Sequence, residues 1–224
     1  MKILFLIVIA ILPLGLFGQA VNVNLGLVGA IPTNEFKEAV PSVWGLGAAG
    51  NVLVQVKETS PIYLGVDFNY IVYGTETNQE DMYVDGNLEE VDVTRNNNMI
   101  GFHFVGRVLP DVDLPVQPYG ELMFGGKYIY TRSVIKSDRY EDKLGADTEV
   151  SDWAISYGGS AGVNIFLVQG LYLDLKLTYL AGGEAEYLTR KSVTYDEKNE
   201  QLVFDVKRSK TDLFLPHIGI GFVF

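Results

Sequence analysis

The sequence predicts an all-β protein, one eight-stranded antiparallel up-and-down transmembrane β-barrel. Three observations carry that reading. Apolar residues recur with period 2 along most of the chain and not with the helical period of 3.6. The alternating stretches number eight, and the segments between them are long and short in turn. The last stretch closes the chain on spaced apolar residues and a terminal aromatic, Phe224.

The opening residues, MKILFLIVIAILPLGLFGQA, are read as a signal peptide. Lys2 is the charged start, Ile3 to Phe17 form an apolar stretch too short for a membrane helix, and small residues follow. Cleavage is expected after Gly18 or Ala20, with Gly18 preferred, so residues 1–18 are the signal and 19–224 form one barrel domain. The chain has no cysteine, which removes disulfides, thiolate metal sites and lipoprotein attachment. The mature protein is therefore expected to leave the cytoplasm.

The eight strands are expected near 21–31, 42–56, 62–74, 97–109, 116–132, 152–168, 171–183 and 212–224. In LYLDLKLTYL, Leu171, Leu173, Leu175, Leu177 and Tyr179 share one face, while Tyr172, Asp174, Lys176 and Thr178 share the other. The connections Pro32–Pro41, Thr75–Asn96, Ser133–Ser151 and Glu184–Thr211 are long; KETSP, PDVDLP and QG are short. An up-and-down sheet gathers the long ones at one end and the short ones at the other, as in outer-membrane barrels.

Volume decides which face points out. An eight-stranded barrel has room inside for its own side chains and little more. One face carries Leu46, Phe68, Phe102, Phe104, Leu122 and Phe124, too bulky for the lumen; the opposite face carries Asn22, Asn24, Gly26, Gly47, Asn51, Gly125, Ser156, Ser160 and Gly219. The small and polar set is expected inside and the bulky set against lipid. Trp44, Tyr70, Tyr128, Tyr130, Trp153, Tyr157, Tyr179 and Phe214 lie toward the long-loop end of the outward face, an interfacial girdle. Both tryptophans are expected to open a strand. Pro216, inside the eighth strand, is expected near the rim, at a bulge or beside a strand that has ended, because a closed barrel has no free edge.

In this arrangement the chain resembles the small outer-membrane β-barrels of Gram-negative bacteria, the OmpA/OmpX-like class, and is also similar in size to barrels of the PorT type. The sharpest element is the terminal GIGFVF, with Ile218, Ile220, Phe222 and Phe224 alternating. The resemblance implies that these four residues are the signal read by the barrel-assembly machinery. It also implies contact with outer-membrane lipid and lipopolysaccharide, with long loops extracellular and both termini periplasmic. Other surface or secretion-complex proteins are further expected partners.

Chemistry-bearing motifs are sparse. Gly45-Leu46-Gly47-Ala48-Ala49-Gly50 is a literal G-x-G-x-x-G, with Asp67 downstream. The dinucleotide fold needs a helix after the glycines, and NVLVQV continues a strand instead. A formal net charge of -11 argues against nucleic acid. His103 and His217 read as lumen-facing and structural, with no serine expected beside either; neither cofactor nor metal is expected. DMYVDGNLEEV lacks the calcium-loop spacing.

Asp67, Arg107, Glu121, Lys127, Asp174 and Lys176 are assigned to the inward face, three acids and three bases. They are expected to pair as a plug, with Glu121 touching Arg107, Lys176 or both. The stretch from Thr75 to Asn96 holds Glu76, Glu80, Asp81, Asp85, Glu89, Glu90 and Asp92 against Arg95. The last long connection is expected to form a hairpin turning at Glu197–Glu200. Together these features predict a non-enzymatic barrel with a plugged lumen and acidic outer loops, acting as a structural, adhesive or accessory subunit. A lipid-modifying enzyme is the alternative, which a rim serine beside an activated histidine would favour; a narrow pore is the weaker one.

Overall fold

The computed structural model describes residues 19–40, 44–84, 87–110, 114–137, 143–189, 193–196 and 201–224, with side chains described except at 80–91, 135–147, 149 and 193–204. The expected signal peptide, most of the acidic run, Pro41, Asp111 and the turn at Glu197–Glu200 therefore lie outside the described residues or side chains. The long barrel strands are β1 (Val21–Pro32), β2 (Gly45–Gln55), β3 (Ile62–Val84), β4 (Asn87–Val108), β5 (Val116–Ser137), β6 (Lys143–Val168), β7 (Leu171–Gly182) and β12 (Leu213–Val223). They close in the order β1-β12-β7-β6-β5-β4-β3-β2, every neighbouring pair antiparallel. The short segments β8 (Glu184–Tyr187) and β11 (Lys207–Lys210) pair with each other, as do β9 (Val193–Asp196) and β10 (Gln201–Phe204). A six-residue helix, α1 (Asn34–Ala39), joins β1 to β2.

The alternation in sequence becomes two surfaces. Leu25, Leu46, Phe104, Leu122, Phe124, Ile155 and Ile218 are exposed on the outside, Leu122 at 77%. A contiguous belt of this kind is tolerated by lipid and not by water. The Gly45–Gly50 stretch forms part of β2, and a Cβ on Gly47 would sit 1.9 Å from the Tyr70 carbonyl oxygen. Glycine is there because two strand backbones approach closely, which answers the dinucleotide motif.

Four expectations are corrected. The segments Thr75–Asn96 and Ser133–Ser151 are mostly not loops: β3 and β4 stay paired from Gly74↔Asn97 to Val84↔Asn87, and β5 and β6 stay paired out to Lys136↔Lys143. Consequently Trp153 does not open its strand, since β6 begins ten residues earlier at Lys143, whereas Trp44 does directly precede β2. The lumen is not filled only by small and polar residues: Tyr63, Tyr73, Tyr119, Tyr172, Leu53, Met99 and Ile129 are buried within it. Glycines opposite the rings make this possible; a Cβ on Gly221 would lie 2.1 Å from Tyr172.

Pro216 is the fourth correction. It lies neither at a bulge nor beside a finished strand, but fourth from the start of β12, paired in register with Leu177. The break falls on the other ladder. β1 pairs with β12 at Val28↔His217 and again at Ile31↔Phe214, with no pair between. Gly29 faces the proline ring, where a Cβ would meet its Cγ at 3.2 Å. The missing N–H is thus absorbed by a two-residue gap in one ladder of a closed barrel.

Candidate functional site

The lumen centre is built from cross-strand register. Arg107 on β4 stands directly opposite Glu121 on β5. Arg107 Nε donates to Glu121 Oε1 at 2.8 Å, and Nη2 lies 2.7 Å from the same oxygen. Lys176 on β7 reaches across to Asp67 Oδ2 at 3.2 Å and Glu121 Oε2 at 3.5 Å. All four side chains are buried. The Arg107 guanidinium also stacks over Tyr119, 4.1 Å from the ring centroid. Tyr119 in turn donates to Asp174 Oδ1 at 2.6 Å. Asn24 Nδ2 donates to Asp174 Oδ2 at 3.0 Å, and His217 Nδ1 lies 3.5 Å from that oxygen. In a low-dielectric interior such charges persist only when paired and hydrogen-bonded.

Of the six charges assigned to the lumen, five join one chain of contacts and Lys127 does not. Its buried ammonium donates instead to the Thr211 carbonyl, nearer the hairpin end. Sequence reasoning misses the neutral links. Tyr119 shares the phase of Glu121 and is legible as inward-facing; Asn24 reads as inward but without a partner.

The expectation that no serine stands beside a histidine is also corrected. His103 Nε2 lies 2.6 Å from Ser156 Oγ, both residues fully buried. They sit in one register row, His103–Gly125–Ser156, across β4, β5 and β6. Gly125 has no side chain to separate them, and a Cβ there would meet the Phe102 carbonyl at 2.0 Å. The pair lies inside the closed lumen, away from the rim where an acyl substrate would arrive. Nδ1 of His103 has no hydrogen-bond partner among the described residues, so no third group orients the ring.

At the hairpin end, α1 lies over the barrel mouth. Phe36 is fully buried, edge-on to Tyr187 at 5.2 Å and tilted to Tyr73 at 5.8 Å. Asn34, at φ 51, donates to Asp212 Oδ2 at 2.7 Å, and Lys210 N donates to Glu35 Oε2 at 3.2 Å. Burial raises the Tyr187 hydroxyl above its usual pKa, keeping it neutral beside Ser209, 2.6 Å away. Around the mouth, Tyr128 packs on Trp153 at 5.1 Å and on Tyr130 at 5.4 Å, and Tyr179 on Phe214 at 5.0 Å. Tyr70 donates to Asn98 at 2.8 Å, and Trp44 and Tyr157 are exposed. At the opposite end Ile218, Ile220, Phe222 and Phe224 all point outward. Among the described residues no cluster of three or more metal-ligating side chains occurs.

The belt and the closed sheet define the class: an eight-stranded transmembrane β-barrel. No protein-family model matches the chain, and no curated protein matches it. The solved structures to which it is similar in fold include three outer-membrane proteins. Neisserial surface protein A is 13% identical with a TM-score of 0.45, the match covering 92% of this chain and 96% of that one. A major outer membrane protein from Thermus thermophilus is 11% identical with a TM-score of 0.47, covering 91% and 99%. The outer membrane protease OmpT from Escherichia coli is 7% identical with a TM-score of 0.40, covering 92% and 96%.

Proposed function

We propose that this protein is a non-enzymatic outer-membrane barrel whose hairpin end projects from the cell and contacts another surface component. The observation that carries the reading is strand length. A tilted strand needs about 9–11 residues to cross a bilayer, yet β3, β4, β5 and β6 run for 23, 22, 22 and 26. Their excess forms a polar sheet beyond the aromatic girdle. One edge of it is open: β2 pairs with β3 only as far as Leu46↔Val72, and among the described residues nothing continues that ladder along Gly74–Gln79. Thr75, Thr77 and Gln79 are exposed there, in a segment rich in acids. A strand edge with no ladder partner among the described residues can accept an extended strand of a partner. The acids further suit cation-bridged contact with lipopolysaccharide. In this orientation Phe224 and the short turns face the periplasm, where Ile218, Ile220, Phe222 and Phe224 serve the assembly machinery.

Two readouts test it. An epitope tag at Asn87 should label on intact cells and one at Glu58 should not; the reverse pattern overturns the orientation. A photo-crosslinker at Thr77 should capture a surface component that one at Glu58 does not. Crosslinks arising only from the short-turn end would remove the contact function.

The observation favouring an enzyme is the His103–Ser156 pair. Its burial supports a structural role. Ser156→Ala should leave lipid A acylation unchanged in cells, and an altered acyl pattern would restore the enzymatic reading.

A further inference from the structure

At the short-turn end the barrel mouth holds a cavity of about 410 Å³, within the roughly 300–1,000 Å³ typical of small-molecule sites. All three short turns contribute to its wall, through Ser60, Pro110 and Gln169 among others. The polar part of the wall is rich in amides: Asn22, Gln55, Gln117 and Gln169. Tyr63 and Phe166 supply aromatic surface. Among the described residues Glu58 is the one carboxylate of the wall, and no Lys, Arg or His lines the cavity.

Asn22 is the group that the fold leaves unexplained. It is 1% exposed, and neither Nδ2 nor Oδ1 has a hydrogen-bond partner among the described residues. Asn164, in register with the wall residue Gln117, is in the same state. Buried amides without partners are destabilising, so something outside the protein is needed to complete them.

We propose that this cavity binds a neutral, hydroxyl-rich small molecule of mono- or disaccharide size, with the Asn22 amide as its main polar anchor. The wall selects that class by elimination. A phosphate or carboxylate would find no Lys, Arg or His side chain in the wall to neutralise it. An extended peptide needs a free strand edge, and the closed barrel has none at this end. A purely apolar ligand would leave the Asn22 amide unpaired. A primary amide offers a donor and an acceptor side by side, which match two neighbouring hydroxyls. The flat faces of Tyr63 and Phe166 suit the C–H face of a sugar ring.

The test uses the mature chain in lipid nanodiscs, with nitrogen-15 NMR and two probes, maltose and N,N′-diacetylchitobiose. Saturable shifts are expected at the Asn22 side-chain amide, Gln117 and Gly170 with at least one probe, while Trp153 at the far end stays unmoved. Asn22→Ala should weaken the binding about tenfold. Gln117→Ala gives the same comparison should Asn22→Ala fail to fold. No saturable shift with either sugar up to about 100 mM, a limit already weaker than most specific binding, overturns the proposal. So do shifts that survive both substitutions. Shifts that glycerol reproduces at the same concentrations would mean a cavity that takes any small polyol without selecting a saccharide, and would equally sink it.

Discussion

Two ion pairs of similar length lie at different heights in this molecule. Arg107 and Glu121 meet at 2.7 Å in the lumen, with neither side chain exposed. Arg208 and Glu184 meet at 3.0 Å on the hairpin extension, with side chains 65% and 55% exposed. The chemistry is the same and the surroundings are not. In the lumen each charge has lost its water, so the pair is a requirement: remove one partner and the other is stranded. On the extension, water and salt screen both, and the pair contributes little. Substitution is therefore costly in the middle of the barrel and tolerated at its hairpin end.

The strongest way to break that contrast is Glu121→Ala. It should cost about 3–5 kcal/mol, read as a fall in urea unfolding free energy in lipid, because both Arg107 and Lys176 lose their shared acid. A loss no larger than that of a surface substitution would remove the network from the account. Phe36→Ala comes next and sharpens the comparison, since its ring is a buried group at the permissive end. Large-to-small core changes cost up to about 3–5 kcal/mol, but α1 can undock without opening the barrel. The expected result is fast protease nicking near α1 with barrel unfolding almost unchanged; a fully destabilised barrel would show that the lid and the barrel fold as one unit. Glu184→Ala should move stability by less than about 0.5 kcal/mol, and a larger drop would contradict the claim that the extension is screened.

The membrane-spanning part is legible because lipid demands a strict rule. Leu171, Leu173, Leu175 and Leu177 alternate with Asp174 and Lys176, and the structure faces them as the alternation dictates. Outside the membrane that demand ends, and so does the signal. TETNQED continues β3 without any apolar alternation, so its strand is indistinguishable from a loop. Helix α1 has six residues, too few for a periodic stripe, and its one deep anchor, Phe36, looks like any loop aromatic. The central network is partly legible. Arg107 and Glu121 sit on consecutive strands across a short turn, so their register can be counted. His103 and Ser156 are 53 residues apart and separated by a strand whose only contribution between them is the absence of a side chain at Gly125. Lys127 ends on the backbone carbonyl of Thr211, which no side-chain pattern announces.

If the contacts around Glu121 plug the lumen, the protein acts through its hairpin end and not as a pore. Single-channel recording of the purified wild-type barrel in planar bilayers tests it most directly. Arg107, Glu121, Lys176 and Asp67 meet across strands β3, β4, β5 and β7, and an eight-stranded barrel has little room beyond its own side chains, so the bilayer should show no steady conductance at either polarity. A stable, ion-selective current through the wild-type protein, lost or altered in selectivity on Glu121→Gln, would show that the same residues line a channel.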